Sequence, residues 1–342
     1  MTNRIPACVA TFLAVIFLAA GAQAQSPTKI RYTLDWRFQG NLAPFMFAKS
    51  GGYFEKEGLD VSLDSGAGSG ATISRIIGGS HDIGNADLNT LIAFLGNNPD
   101  QVGKLKAIYL IYNESPMIVQ TLKKSGITKP QDLAGKTMAS PEGDSTRRLF
   151  PVFARAAGFD ANSVKWLNVE PALRENLLVR GDVDAIPGME IDVLNVMARG
   201  IKREDITVFK FSDFGANQYG HVILASEKII TENPKAVAAF VRAVNHALID
   251  SIADPVKAAA AVHAFDPLTD AKADVEKLEI QLRVVNTAFA REHGLGDIDK
   301  AALAKQVDDI SAIYGLKAKP DADKIFDLSF LPPHAQRLPP KR

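Results

Sequence analysis

Apolar and polar positions along this chain switch between two periods. From 29 to 34, Ile30, Tyr32 and Leu34 alternate with polar neighbours, the period of a half-buried strand. An apolar helical run over 42–52 follows, with Pro44 near its start and Gly51-Gly52 at its end. A second strand is expected over 59–63. The glycine-rich turn Ser65-Gly66-Ala67-Gly68-Ser69-Gly70 then leads into a helix over 71–78 that carries Ile73, Ile76 and Ile77 on one side. A short third strand over 81–84, a helix over 88–95 and a strand over 105–112 complete the first half.

The alternation restarts after about residue 115. Strands are expected over 117–122, 136–139, 164–169, 185–187, 206–211 and 221–225, with helices over 145–157 and 171–180. From Pro234 the character changes. Asn233 suits a cap and Pro234 a first helical position. Val237, Phe240, Val241, Val244, Leu248 and Ile252 form one stripe at helical spacing. Further helices run to about residue 314. Such strand–helix alternation predicts an α/β fold of mostly parallel sheets with helices on both faces. No period of solenoid length recurs.

The N-terminus departs from this pattern. Arg4 precedes an apolar stretch over 9–20, and Ala22-Gln23-Ala24 closes it. That is the layout of a secretory leader cleaved after Ala24, with a core too short to cross a bilayer comfortably. The only cysteine, Cys8, lies inside that leader, so the mature chain has no disulfide or thiolate metal site. About 318 mature residues suggest two domains or lobes. Basic and acidic residues are equal at 39 each. Loss of Arg4 leaves one net negative charge, which gives no electrostatic case for nucleic acid or an anionic membrane. No later apolar run is expected to reach membrane-spanning length, so no membrane insertion is expected.

Several short segments follow one another in a telling order. Leu34-Asp35-Trp36 comes first, followed by Ala43-Pro44-Phe45, Ala48-Lys49 and the run Gly52-Tyr53-Phe54-Glu55-Lys56-Glu57-Gly58-Leu59. Gly66 to Gly70, His81-Asp82-Ile83-Gly84 and Gly181-Asp182-Val183-Asp184-Ala185 come after them. In order and spacing this resembles the nitrate/sulfonate/taurine and thiamine-pyrimidine class of periplasmic binding proteins, over about 30–331. The resemblance implies the type II fold of that class: two α/β lobes, two crossovers and a cleft. It also implies a small-molecule ligand, an ABC permease with its ATPase as partners, a monomer, and no cofactor. Lobe one is expected over 29–114 and 217–342, and lobe two over 115–216.

Ligands of open parallel sheets sit beyond the carboxyl ends of strands, and the polar loops at those ends supply the candidates. Asp35, Trp36, Phe38 and Asn41 form one group. Trp36 offers an apolar face and an indole donor, and Asp35 an acceptor for an amino group; the alternative is a helix cap beside a core tryptophan. The turn with Gly66, Gly68 and Ser69 either presents free amides at a helix start or is an ordinary tight turn. Asn85 and Asn113 are candidate hydrogen-bonders, one after the third strand and one at a crossover. Glu142, Asp144, Ser145, Thr146 and Arg147 precede or open a helix. Arg147 suits a carboxylate or sulfonate, or Asp144 simply caps the helix and the arginine is solvated. Glu190 either meets an amino-bearing group or is a surface acid, and Asn217 and Tyr219 stand near the return crossover.

The acidic residues in this set, with the pyrimidine branch of the resembled class, favour an amino- or heteroaromatic ligand such as a thiamine-precursor pyrimidine. A sulfonate, nitrate or aromatic carboxylate is the alternative. An enzyme on the same fold, like the fungal thiamine-pyrimidine synthase, is disfavoured because that enzyme is cytosolic and has a cysteine-rich motif. None of the six histidines (His81, His221, His246, His263, His293, His334) falls in a short-spaced zinc pattern. No catalytic residue or metal ligand is expected. A sensor ectodomain working with a partner in trans would use the same cleft.

Overall fold

The structure is a computed structural model and describes residues 26–341. The expected leader, its cleavage site and Cys8 lie outside the described residues. Among the described residues, ten strands form two five-stranded sheets. The first contains β1 (Thr28–Thr33), β2 (Leu59–Asp64), β3 (Ile83–Asp87), β4 (Leu105–Leu110) and β10 (His221–Ser226). The second contains β5 (Met117–Leu122), β6 (Thr137–Ala139), β7 (Lys165–Leu167), β8 (Ala185–Met189) and β9 (Ile206–Lys210). The orders are β2-β1-β3-β10-β4 and β7-β6-β8-β5-β9. In each sheet one strand runs against both of its neighbours, β10 in the first and β5 in the second. These two are the strands that follow each passage between sheets.

Alternation along the strands explains how both sheets are covered. β10 sends Ile223 and Ala225 into one apolar cluster and Val222 and Leu224 into another. β5 does the same with Ile118 on one side and Met117 and Val119 on the other. Period-two side chains on a sheet buried on both faces give such near-continuous apolar runs. One cluster joins the lobes: Leu88, Leu91 and Leu95 of the first belong with Leu149, Phe150 and Phe153 of the second.

Two local expectations need correction. The third strand starts later and reaches further, so Asn85 lies within β3 and not after it, and Asp87 is the last residue of the same strand. Both are fully buried. Their polar atoms are satisfied across the fold, Asn85 by Tyr32 and Asp35, and Asp87 by capping the helix Leu88–Asn97 at the Thr90 amide. The second concerns the helix Pro234–Ala253, whose length and apolar content do reach those of a membrane span. Its stripe packs inside the protein instead, with Phe240 stacked on Phe54 at 5.1 Å between ring centroids.

Candidate ligand-binding site

The loop after β1 is tied down by backbone. The Gly66 amide donates to the Trp36 carbonyl at 2.9 Å, and the Gly68 amide to the Asp35 carbonyl at 2.6 Å. Gly68 has φ +112°, and a Cβ there would lie 2.4 Å from the Gly143 carbonyl of the second lobe. Only glycine fits both the conformation and the close approach. One step on, the Gly70 amide donates to Gly143 O at 3.0 Å. The lobes therefore touch backbone to backbone at the starts of the helices Ser69–Ile77 and Ser145–Ala156.

Beside this contact lies a cavity of about 370 Å³, its open mouth included. Asp35, Trp36, Gln39, Asn41 and Gly68 line it from the first lobe. Asp144, Ser145, Thr146, Arg174, Gly188, Met189, Ile191 and Asp192 line it from the second.

The second-lobe wall is a closed ionic cluster. Arg174, 1% exposed, reaches Asp192 at 2.8 Å, Glu175 at 2.9 Å and Asp144 at 3.2 Å. Burial opposes its charge, but the three carboxylates outweigh burial and hold its pKa above the ordinary arginine value. Burial also pushes the Asp144 carboxyl up, against the pull of Arg174 and of the Thr146 and Arg147 amides that it caps. Asp192 accepts from the Met189 amide and from Asn195 Nδ2, both at 2.9 Å. The guanidinium of Arg174 also sits 5.1 Å from the Trp36 ring centre, a cation–π contact across the cleft. Arg37 returns the contact with its guanidinium 3.6 Å from Glu175.

The first-lobe wall is different. Asp35 engages one oxygen with Asn85 Nδ2 and the other with His221 Nε2, the latter at 2.6 Å. Gln39 Oε1 and Asn41 Oδ1, buried in the same wall, have no hydrogen-bond partner. A buried acceptor without a donor costs about 1–3 kcal/mol. Both residues line the cavity, and the Asn41 side chain also interacts with the Tyr112 hydroxyl.

The structure brings together Asp35, Trp36, Asn41, Gly68, Asp144, Ser145 and Thr146 from the sequence candidates. The others stand off the cavity. Phe38 packs on Phe265 at 5.3 Å. Gly66 is under the Asp35 loop, Ser69 accepts from the Asp87 amide, and Asn85 stands behind Asp35. Glu142 is exposed. Arg147 donates to the Ser140 carbonyl and lies over Trp166, so it is neither in the cleft nor simply solvated. Glu190 pairs with Lys210 at 2.9 Å. Asn113 faces Thr287, Asn217 accepts from the Ser115 amide at a crossover, and Tyr219 is pinned to Gln306 and Asp299 of the C-terminal segment.

Sequence reasoning missed Gln39, Arg174, Asp192 and His221. Arg174 and Asp192 do carry a signal, because each opens a helix in the stretches just before and just after β8. Loops at strand ends of an open sheet are where cleft residues belong.

The match to known proteins agrees with this geometry. The family model described as NMT1/THI5 like matches residues 39–258. A 4-amino-5-hydroxymethyl-2-methylpyrimidine phosphate synthase of Aspergillus parasiticus is 28% identical over 68% of this chain and 69% of its own length. A formylaminopyrimidine-binding protein of Halalkalibacterium halodurans is 25% identical over 69% of this chain and 71% of its own. Among solved structures, the alkanesulfonate-binding protein SsuA from Xanthomonas axonopodis superposes with a TM-score of 0.68 at 15% identity, over 88% of this chain and 99% of that one. With two sheets of matching topology facing one cleft, the chain has the periplasmic-binding-protein fold and belongs to the NMT1/THI5-like family.

Proposed function

We propose that this chain is an exported receptor that closes two lobes around a small, planar, amino-bearing heteroaromatic molecule of the pyrimidine type and delivers it to an ABC importer. The observation that carries the reading is the pair of unpartnered acceptors, Gln39 Oε1 and Asn41 Oδ1. An exocyclic amino group supplies two donors, and a ring supplies the flat body that a cleft edged by Trp36 accepts. The name of the formylaminopyrimidine-binding relative supports the same ligand class. Release of Gly70 from Gly143 O, with rotation about the segments 111–116 and 211–220, would open the cleft.

A sulfonate or nitrate fits this wall poorly. Arg174, the only cation lining the cavity among the described residues, is already matched by three carboxylates. An added anion would face a surplus of negative charge in a poorly solvated site. Catalysis fits less well than binding: Asp35, Asp144 and Asp192 each engage both oxygens with protein donors, leaving no poised acid or base.

The test is a thermal-unfolding panel on the chain from residue 25, with 4-aminopyrimidine, its methylated and hydroxymethylated forms, an alkanesulfonate, nitrate and benzoate. Binding at a hundred times Kd stabilises by about 2.7 kcal/mol. The reading expects stabilisation by aminopyrimidines and recovery of the compound unchanged. Stabilisation by the anions alone, or conversion of the bound compound, would overturn it.

A further inference from the structure

Resting on the aminopyrimidine reading, we infer that His221, which does not line the cavity, decides whether that cavity takes a neutral or a cationic ligand. His221 is fully buried at the first position of β10, where the chain has just returned from the second sheet. Its Nε2 meets Asp35 Oδ2 at 2.6 Å, while its Nδ1 has no partner. The single hydrogen bond of the ring goes to one carboxylate, and that carboxylate lines the cavity.

Three acids face the ring from three elements. Asp35 comes from the loop after β1. Asp87 of β3 lies directly opposite His221 in the β3–β10 ladder. Asp144 caps the second-lobe helix and acts on it across the cleft. The Tyr112 ring packs beside it with centroids 5.0 Å apart, and Asn85 links Asp35 to the Tyr32 hydroxyl. Burial works against a charged imidazole, yet Asp35 first, then Asp87 and Asp144, hold the His221 pKa above its ordinary value.

The chemical consequence is a charge balance. With His221 protonated, Asp35 presents a compensated carboxylate that accepts a ligand N–H without demanding a positive charge. With His221 neutral, the same carboxylate is uncompensated in a buried wall, and a cation is the group that relieves it. Arg174 does this for the second-lobe carboxylates, so His221 is the variable element of the pair.

The experiment compares 4-aminopyrimidine with its permanently charged N-methylated pyrimidinium, by calorimetric titration from pH 6 to 9. The wild-type chain should prefer the neutral compound at the acid end, with the cation gaining as pH rises. In His221→Gln, which keeps a donor near Asp35 and removes the charge, the preference should shift toward the cation by at least tenfold at pH 6 and lose its pH dependence. An unchanged preference and pH profile would overturn the inference. A second measurement needs no ligand: the His221 ring followed by NMR through a pH titration. It should titrate above the ordinary histidine range and move toward that range in Asp35→Asn. If neither compound binds but the NMR result holds, the functional reading fails and the charge pairing stands. If Asp35→Asn leaves the titration where it was, the pairing itself fails.

Discussion

The two lobes share one strand order and meet one cavity, yet their walls differ in kind. The second-lobe lining is saturated: Arg174, Asp144 and Asp192 are bonded to one another or to backbone amides, while Glu175 behind them holds Arg174 through Oε1 and leaves its buried Oε2 without a hydrogen bond. The first-lobe wall is unfinished, with Gln39 Oε1 and Asn41 Oδ1 buried and unpaired. A saturated wall gives shape and rigidity, and an unfinished one gives a ligand something to do. Damage to the second wall should therefore appear in stability, and damage to the first in affinity.

The largest effect is expected from Arg174→Ala. It strands three buried carboxylates, and breaking a buried ionic group in this way costs about 3–5 kcal/mol. Chemical denaturation should register that loss. A drop below about 1 kcal/mol would mean that the cluster is not the keystone of its lobe. Next is Gly68→Val, which puts a branched side chain at φ +112° and against Gly143 O. Backbone strain of this type costs about 1–3 kcal/mol, and the contact lies between lobes. Ligand affinity should fall by tenfold or more, and small-angle scattering should report a larger radius of gyration. Wild-type affinity would show that the lobes need not approach there.

A smaller effect is expected from Tyr314→Phe. The Tyr314 hydroxyl, at the end of the helix Lys300–Tyr314, donates to the Arg148 carbonyl of the opposite lobe. One neutral hydrogen bond is worth about 0.5–1.5 kcal/mol, here only in the closed arrangement. Dissociation should accelerate roughly 2–10-fold with little change in unfolding, as stopped-flow fluorescence would show. An equal loss of global stability would make the bond an ordinary structural one.

This contrast between walls also explains how far the sequence could be read. Every strand was visible, because branched and aromatic runs between glycine, proline and asparagine breaks announce strands whatever their partners. The end of β3 was not: Asn85 and Asp87 look like loop residues, and only Tyr32 and Asp35, brought alongside by the β1–β3 pairing, make Asn85 tolerable in a core. Trp36 and Asp144 to Thr146 were expected at the cleft mainly from the resemblance to the family, and they line the cavity. Arg174 was not singled out, because its partners Asp144 and Asp192 lie 30 and 18 positions away. His221 was hidden for the same reason, 186 positions from Asp35. Composition and periodicity report what each residue is; ionic partnership across a fold depends on who arrives beside it.

The most direct test of the unfinished wall is a calorimetric cycle between ligand and protein. Pyrimidine and 4-aminopyrimidine are titrated into the wild-type chain and into the double variant Gln39→Leu/Asn41→Leu. The amino group should contribute at least tenfold in affinity to the wild type and close to nothing in the variant, with the free variant no less stable than the wild type in thermal unfolding, because two unpaired buried acceptors are removed. The same amino-group contribution in both proteins would mean that these two acceptors do not receive the ligand.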